Sequence, residues 1–132
     1  MNIFELQRYK WWEHMERIME NINLIEISIV RNNHMVFRFL NSYDGKFFKN
    51  LECNQILKCC IDSAAFENEE FAYFISDVYV KELSKNEIES SLKYYKYGYN
   101  VDLSGISKLY LISIVGSDIC FDIICGNFNI TT

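Results

Sequence analysis

Few side chains in this sequence could carry out chemistry, and their spacing does not assemble a catalytic motif. The histidines His14 and His34 lie far apart, and neither belongs to the H-E-x-x-H pattern that binds zinc from one helix face. Glu13 and Glu16 flank His14, but positions i, i+1 and i+3 of a helix do not share one face. We therefore predict no metal site.

The cysteines predict buried thiols rather than a disulfide framework. Their number is odd and none forms a C-x-x-C pair: Cys53, Cys59, Cys60, Cys120 and Cys125. The neighbours Cys59 and Cys60 point to opposite faces if their segment is a strand, so they do not share a metal ion. This usage is typical of a cytosolic protein.

Two further patterns that could indicate an enzyme are incomplete. Ser113, Cys120 and Asp122 resemble a reactive cluster, but no histidine is predicted beside them, so we interpret them as polar positions near a sheet edge or under a loop. The five glycines are isolated from one another, which excludes a phosphate-binding loop. We expect no catalytic residue, no cofactor and no enzymatic activity.

Composition indicates one globular domain over residues 1–132. Half of the residues are hydrophobic and only 23% are charged, which suffices for a core and excludes a disordered chain. The formal net charge of −5 argues against nucleic acid as a partner. We find no apolar stretch long enough for a signal peptide or a membrane span, so we expect a cytoplasmic protein without membrane contact.

The N-terminal segment predicts an amphipathic helix over residues 2–21. Its apolar residues recur at spacings of three and four, with acidic and basic residues on the other side. Either Trp11 and Trp12 pack onto the sheet, which we prefer for the pair, or one of them lies too far round the helix to be buried and forms part of a binding surface. Trp12 is the candidate for that surface.

A hairpin follows, with strands over residues 23–31 and 35–41. A two-residue loop would place Ile27 opposite Arg38, whereas a three-residue loop that includes His34 pairs Ile29 with Phe37. We prefer the second register because it collects apolar side chains on one face.

The middle of the chain predicts strands over residues 47–52, 56–61 and 71–83. Asp44 and Gly45 mark a turn before them, and Asn54 with Gln55 is either a bulge or a break between two strands. The acidic loop that connects the last two strands contains Glu67, Glu69 and Glu70.

A second helix is predicted near residues 85–97. Ser84 and Glu87 form a capping box, and Gly98 can end the helix in the left-handed conformation. Tyr94 and Tyr97 belong to a tyrosine cluster that cannot all face inward, so they extend the surface.

The last segment predicts another hairpin, with Gly116 and Ser117 at its turn. This register pairs Ile112 with Phe121 on a wholly apolar face and leaves a mixed, partly buried face behind it. The sum of the elements is an α+β fold: a mainly antiparallel sheet of about six strands, with two helices packed against it.

The segments Phe66 to Tyr99 and Leu109 to Phe128 resemble small bacterial immunity proteins of polymorphic toxin loci. The features that carry the resemblance are a capped helix followed by a hairpin. The resemblance implies a cytoplasmic binder that neutralises a cognate toxin by occlusion, and it assigns no individual residue.

We therefore expect a non-enzymatic protein inhibitor with a basic toxin as its partner. Acidic residues would attract that partner and aromatic residues would anchor it: Glu67, Glu69, Glu70, Trp12, Tyr94 and Tyr97. The alternative is a self-assembling structural component, in the simplest case a homodimer, that buries the mixed face of the last hairpin between subunits.

Overall fold

A computed structural model of the protein describes residues 15–31, 33–63, 73–84, 86–87 and 108–132. These residues contain six strands: β1 (Glu16–Arg31), β2 (His34–Asn41), β3 (Phe47–Ser63), β4 (Tyr73–Glu82), β5 (Tyr110–Gly116) and β6 (Ile119–Thr131). The strands form a closed barrel in the order β1-β2-β3-β6-β5-β4, and every neighbouring pair is antiparallel.

The predicted α+β class is wrong. The described part of the chain is almost entirely antiparallel strand, and the end of the predicted first helix, residues 16–21, belongs to β1. A register shift after Arg17 and the left-handed backbone of Asn21 (φ 53°) disturb the alternation of this strand. The buried residues Met19 and Ile22 therefore fall three apart, which imitates helical spacing.

The predicted capping box is present, although the body of the predicted second helix lies outside the described residues. The Ser84 amide donates to Glu87 Oε1 at 3.2 Å, and the Glu87 amide donates to Ser84 Oγ at 3.3 Å. Glu87 also pairs with Lys81. Burial alone would raise the pKa of the Glu87 carboxyl, but the hydrogen bonds from Lys81 and Ser84 hold that pKa below its usual range.

Within the described ranges, no helix is long and apolar enough to cross a membrane.

The first hairpin keeps the predicted inner face of β2, where Phe37 and Phe39 are buried, but not the predicted register. Arg31 lies opposite His34, as a two-residue loop requires, and a register shift between Ile29 and Arg31 then places Ile27 opposite Phe37. Our preferred register is therefore wrong. Ile29, which it placed in the core, is 72% exposed.

β3 is one long strand, so Asn54 and Gln55 do not divide it into two. Gln55 has a φ of 53°, and the register with β6 shifts between Ile56 and Lys58. A Cβ at Gly126 would lie 2.3 Å from Gln55 Oε1, so Gln55 occupies the space that glycine leaves on β6. Of the two alternatives, the bulge is the one observed.

The last hairpin turns one residue later than predicted. Ile112 pairs with Ile123 and Ile114 with Phe121, which moves the register by two residues and leaves the apolar face unchanged. This preservation follows from the strand period of two.

The barrel interior is the main core. Phe37, Phe39 and Phe121 are fully buried there, and the rings of Phe37 and Phe121 meet edge to face at 5.4 Å. The buried aliphatic residues around them come from the five strands other than β2, and they include Leu24, Leu51, Ile75, Ile112 and Ile123. Burial of these side chains is the main source of stability.

A second, smaller core lies on the outside of the barrel. Leu111 and Ile124, whose side chains point away from the interior, are buried with Leu83 and Leu109. The chain is held together here by a bond from the Leu83 amide to the Leu109 carbonyl. Part of the mixed face of the last hairpin is therefore buried within the chain, whereas Val115, Cys120 and Asp122 on the same face are half-buried.

Candidate functional site

Within the described ranges, side chains from all six strands pack together in the barrel interior, and a groove lies on the outer surface. The outer face of β1, β2 and β3 carries a groove of about 300 Å³. Its lining mixes polar, charged and apolar side chains from the three strands: Glu26, Ser28, Val36, Arg38, Phe47 and Asn50. We call this surface the β1–β3 groove.

Strand pairing positions the polar residues of the groove in one row. Glu26 lies opposite Arg38, and Arg38 lies opposite Asn50 on the next strand. Their neighbours Phe37 and Phe39 point inward and are fully buried, so the alternation of β2 forces Arg38 outward. Packing of the two phenylalanines in the core therefore places the Arg38 side chain on the outer face.

Arg38 is an exposed cation that stacks on an aromatic ring. Its guanidinium carbon lies 5.4 Å from the centre of the Phe47 ring. Within the described ranges, no carboxylate forms an ion pair with it. The stacked guanidinium is thus pre-positioned, with its hydrogen-bond donors available to a ligand.

The acidic residue of the groove is held by its own strand. Ser28 Oγ donates a hydrogen bond to Glu26 Oε1 at 3.0 Å, which keeps that carboxylate on the β1 side. Arg38 leans instead toward Phe47 on the β3 side. The groove therefore presents a negative edge and a positive edge that do not neutralise each other.

Asn50 adds an unsatisfied acceptor. Its side-chain oxygen is buried, and none of the described residues donates a hydrogen bond to it. Leaving such an oxygen unpaired costs about 1–3 kcal/mol. A ligand N–H that satisfied it would recover part of that cost.

His34 and Glu52 lie beyond the groove on the same outer face. His34 Nε2 is 2.7 Å from Glu52 Oε1, which is an ion pair when the imidazole is protonated. We predicted that His34 belongs to the hairpin loop, whereas it is the first residue of β2. Among the described residues, no group of three or more histidine, cysteine or acidic side chains could hold a metal ion.

The cysteines are free thiols in the described structure, with two buried and three half-buried. A hydrogen bond with Cys125, together with burial, raises the pKa of the Cys53 thiol. Burial, followed by the nearby Cys60 and Asp122, raises the pKa of Cys59 to about 11. Burial also raises the pKa of Cys60. Each shift disfavours the reactive thiolate.

The incomplete cluster on the last hairpin has a structural role. Ser113 lies opposite Asp122 and donates a hydrogen bond to its Oδ1 at 2.8 Å, while Ser113 itself is buried. Cys120 Sγ lies 3.8 Å from the Gly116 carbonyl oxygen near the turn. The Ser113 bond satisfies a buried hydroxyl between β5 and β6.

The partner-binding residues predicted from the sequence lie outside the described residues: Glu67, Glu69, Glu70, Trp12, Tyr94 and Tyr97. They stay predictions.

The groove residues were missed by sequence reasoning. One local signal existed, an arginine alternating with two phenylalanines in β2. Phe47 and Asn50 join that arginine only through the β2–β3 pairing, which no local pattern reveals.

Comparison with solved structures supports the fold. The crystal structure of an uncharacterized protein from Neisseria gonorrhoeae matches with a TM-score of 0.60 and 21% sequence identity. The match covers 88% of this chain and 95% of that one. No curated protein matches the chain.

A protein-family model described only as "-like:-like" matches residues 17–132. Neither this description nor that of the neisserial protein names a ligand, an activity or toxin immunity. Because the match extends over all six strands, the chain belongs to this "-like" family.

Proposed function

We propose that this protein is a non-enzymatic protein-binding domain whose β1–β3 groove receives an acidic segment of its partner. The observation that carries the proposal is Arg38, an exposed guanidinium that stacks on Phe47 and pairs with no described carboxylate. Arginine and aromatic side chains are the residues that most often dominate binding energy at protein interfaces.

The chemistry of the groove defines what it would bind. A carboxylate can accept two parallel hydrogen bonds from a guanidinium, which gives both affinity and orientation. A turn of the Asn50 amide about χ2 would offer its unpaired oxygen to a backbone N–H beside that carboxylate. An aspartate or glutamate in an extended segment supplies both groups.

Neutralisation of a toxin by occlusion is the biological role that we propose for such a binder. It rests on the sequence resemblance, and a cytoplasmic location goes with it. A filled barrel supports this role because it offers a rigid surface that loses little entropy on association. The groove adds a requirement for an acidic contact on the partner.

Affinity capture with matched variants tests the proposal. Tagged wild type, Arg38→Ala and Arg31→Ala would be exposed to the same extract, including the product of the adjacent reading frame. Arg31 is an exposed arginine outside the groove and serves as the control. We expect a partner that wild type and Arg31→Ala retain and that Arg38→Ala retains about tenfold less. Equal retention by all three proteins would contradict the proposal.

A further inference from the structure

We propose that the β1–β3 groove binds a segment of the partner that carries both charges: an acidic residue held by Arg38 and, two residues away, a basic residue held by Glu26. This inference rests on the proposed function, which supplies the acidic contact, and it adds Glu26 as a residue that determines specificity. Two opposite charges that line one groove without pairing with each other carry the inference.

Glu26 and Arg38 lie directly opposite each other on neighbouring strands, where opposite charges attract. Other contacts nevertheless hold the two side chains apart. Ser28 Oγ donates to Glu26 Oε1 at 3.0 Å, and the Arg38 guanidinium stacks on Phe47 on the β3 side. Among the described residues, neither charge forms an ion pair. The groove is the space that both of them line.

A ligand that brings only an acidic group leaves Glu26 without a cation. Its carboxylate would then lie about 5–10 Å from Glu26, one to two strand spacings, where like charges still repel. A ligand cation beside Glu26 replaces this repulsion with an attraction. The groove therefore favours a segment with both charges over a purely acidic one.

The separation of the two charges determines their spacing on the partner. Glu26, Arg38 and Asn50 form one row across three strands that lie about 4.8 Å apart. In an extended segment laid across this row, the side chains at i and i+2 point to the same face and lie about 7 Å apart. That distance fits the two edges of the groove, and the side chain at i+1 points to solvent. We therefore expect one residue of any type between the acid and the base.

The charge of the whole chain favours the same kind of segment. The formal net charge is −5, so a purely acidic segment approaches a protein of its own sign. A basic residue next to the acidic contact offsets this repulsion. A partner that is basic overall can supply such a segment, so an acidic contact and a basic partner are compatible.

NMR titration of the 15N-labelled full chain with two acetylated and amidated peptides tests the inference. Glu-Ser-Lys-Ser-Glu places lysine two residues from each glutamate, so an acid and a base share one face in either chain direction. Glu-Lys-Ser-Ser-Glu has the same composition and charge, but its lysine points away from both glutamates in an extended chain. We expect wild type to bind the first peptide about fivefold more tightly, which is the upper range of one exposed ion pair.

Glu26→Gln is the decisive variant. The glutamine keeps an oxygen that can accept the hydrogen bond from Ser28, so the substitution removes the charge and not the anchor. We expect this variant to bind the two peptides equally. Asp118→Asn removes the same charge at an exposed position between β5 and β6, outside the groove, and should keep the wild-type preference. Arg38→Ala should weaken the binding of both peptides.

Equal affinity of wild type for the two peptides would overturn the inference, as would a preference that Glu26→Gln leaves intact. Tighter binding by Glu26→Gln would also overturn it, because Glu26 would then only compete with the ligand for Arg38. Each of these results leaves the proposed function standing if both peptides still require Arg38. Binding that does not require Arg38, or no binding of either peptide, would remove the proposed function and this inference with it.

Discussion

The two hairpins, β1–β2 and β5–β6, are built alike but buried differently. Each has an inward apolar face that contributes phenylalanine and aliphatic side chains to the barrel core. On its outer face, β5–β6 buries Leu111 and Ile124 in the second core, and it also buries Ser113. The outer face of β1–β2 instead exposes Glu26 and Arg38 beside the groove.

This difference shows how the barrel separates stability from binding. A hairpin that buries most of both faces contributes mainly to the stability of the fold. A hairpin buried on one face can vary its outer residues at little cost, so function can be placed there. The following substitutions test this division.

The largest expected effect is on the inner face, where both hairpins contribute. Phe121→Ala removes a fully buried ring and its edge-to-face contact with Phe37. We expect the free energy of unfolding to fall by about 3–5 kcal/mol, measured by chemical denaturation. A loss below about 1 kcal/mol would mean that the barrel core is not packed as described.

Substitutions on the outer faces should lower the free energy of unfolding by different amounts in the two hairpins. Leu111→Ala on β5 should cost about 2–5 kcal/mol because this side chain is 4% exposed. Val36→Ala, on the outer face of β2, should cost less than about 1 kcal/mol because Val36 is only half-buried in the open groove. Similar losses for the two variants, measured side by side in urea, would remove the distinction.

A smaller effect is expected from the polar pair on the buried outer face. Ser113→Ala removes the hydroxyl that donates to Asp122 at 2.8 Å, and we expect a loss of about 1–2 kcal/mol. Ser28→Ala removes the comparable bond to Glu26 on the exposed face and should change stability by less than about 0.5 kcal/mol. Denaturation of both variants at neutral pH provides the measurement, and a reversed order would argue against the assigned burial.

The stability of wild type and of Cys59→Ala should depend differently on pH in the alkaline range. The pKa of Cys59 rises from its ordinary value of 9.0 to about 11 on folding, mainly through burial. As pH rises, the unfolded chain therefore loses this proton before the folded chain does. The free energy of unfolding should decline as pH rises from the unfolded pKa to the folded pKa of Cys59. Cys59→Ala should decline less steeply than wild type, whereas Val36→Ala should keep the wild-type slope. Parallel profiles for all three proteins would show that Cys59 is not the titrating group.

For the last hairpin, the sequence allowed prediction of which strand faces are apolar but not of how the strands pair, whereas for β1 it placed the exposed Ile29 in the core. In the last hairpin, Ile112 and Phe121 were placed inward correctly, although their register is wrong by two residues. A period of two preserves faces through such an error, so the core is easier to predict than the contacts across strands.

Irregular strands account for the other errors. Asn21 and Gln55 both have a positive φ, and β1 and β3 shift register near them. The irregularity at Asn21 gave β1 the apolar spacing of a helix. The one at Gln55 left a bulge and a strand break as alternatives for β3. Since bulges depend on the partner strand, a single sequence does not locate them. The groove required the pairing of three strands and was therefore beyond local patterns.

The most direct test is an NMR titration of the 15N-labelled protein with N-acetyl-glutamate amide, which carries a carboxylate beside a backbone N–H. We expect saturable shifts at Arg38, Asn50 and Glu26, and much weaker shifts with N-acetyl-glutamine amide, the neutral analogue. Arg38→Ala should abolish the difference between the two ligands, and Arg31→Ala should preserve it. Equal responses to both ligands, or shifts that lie away from the groove, would contradict the account.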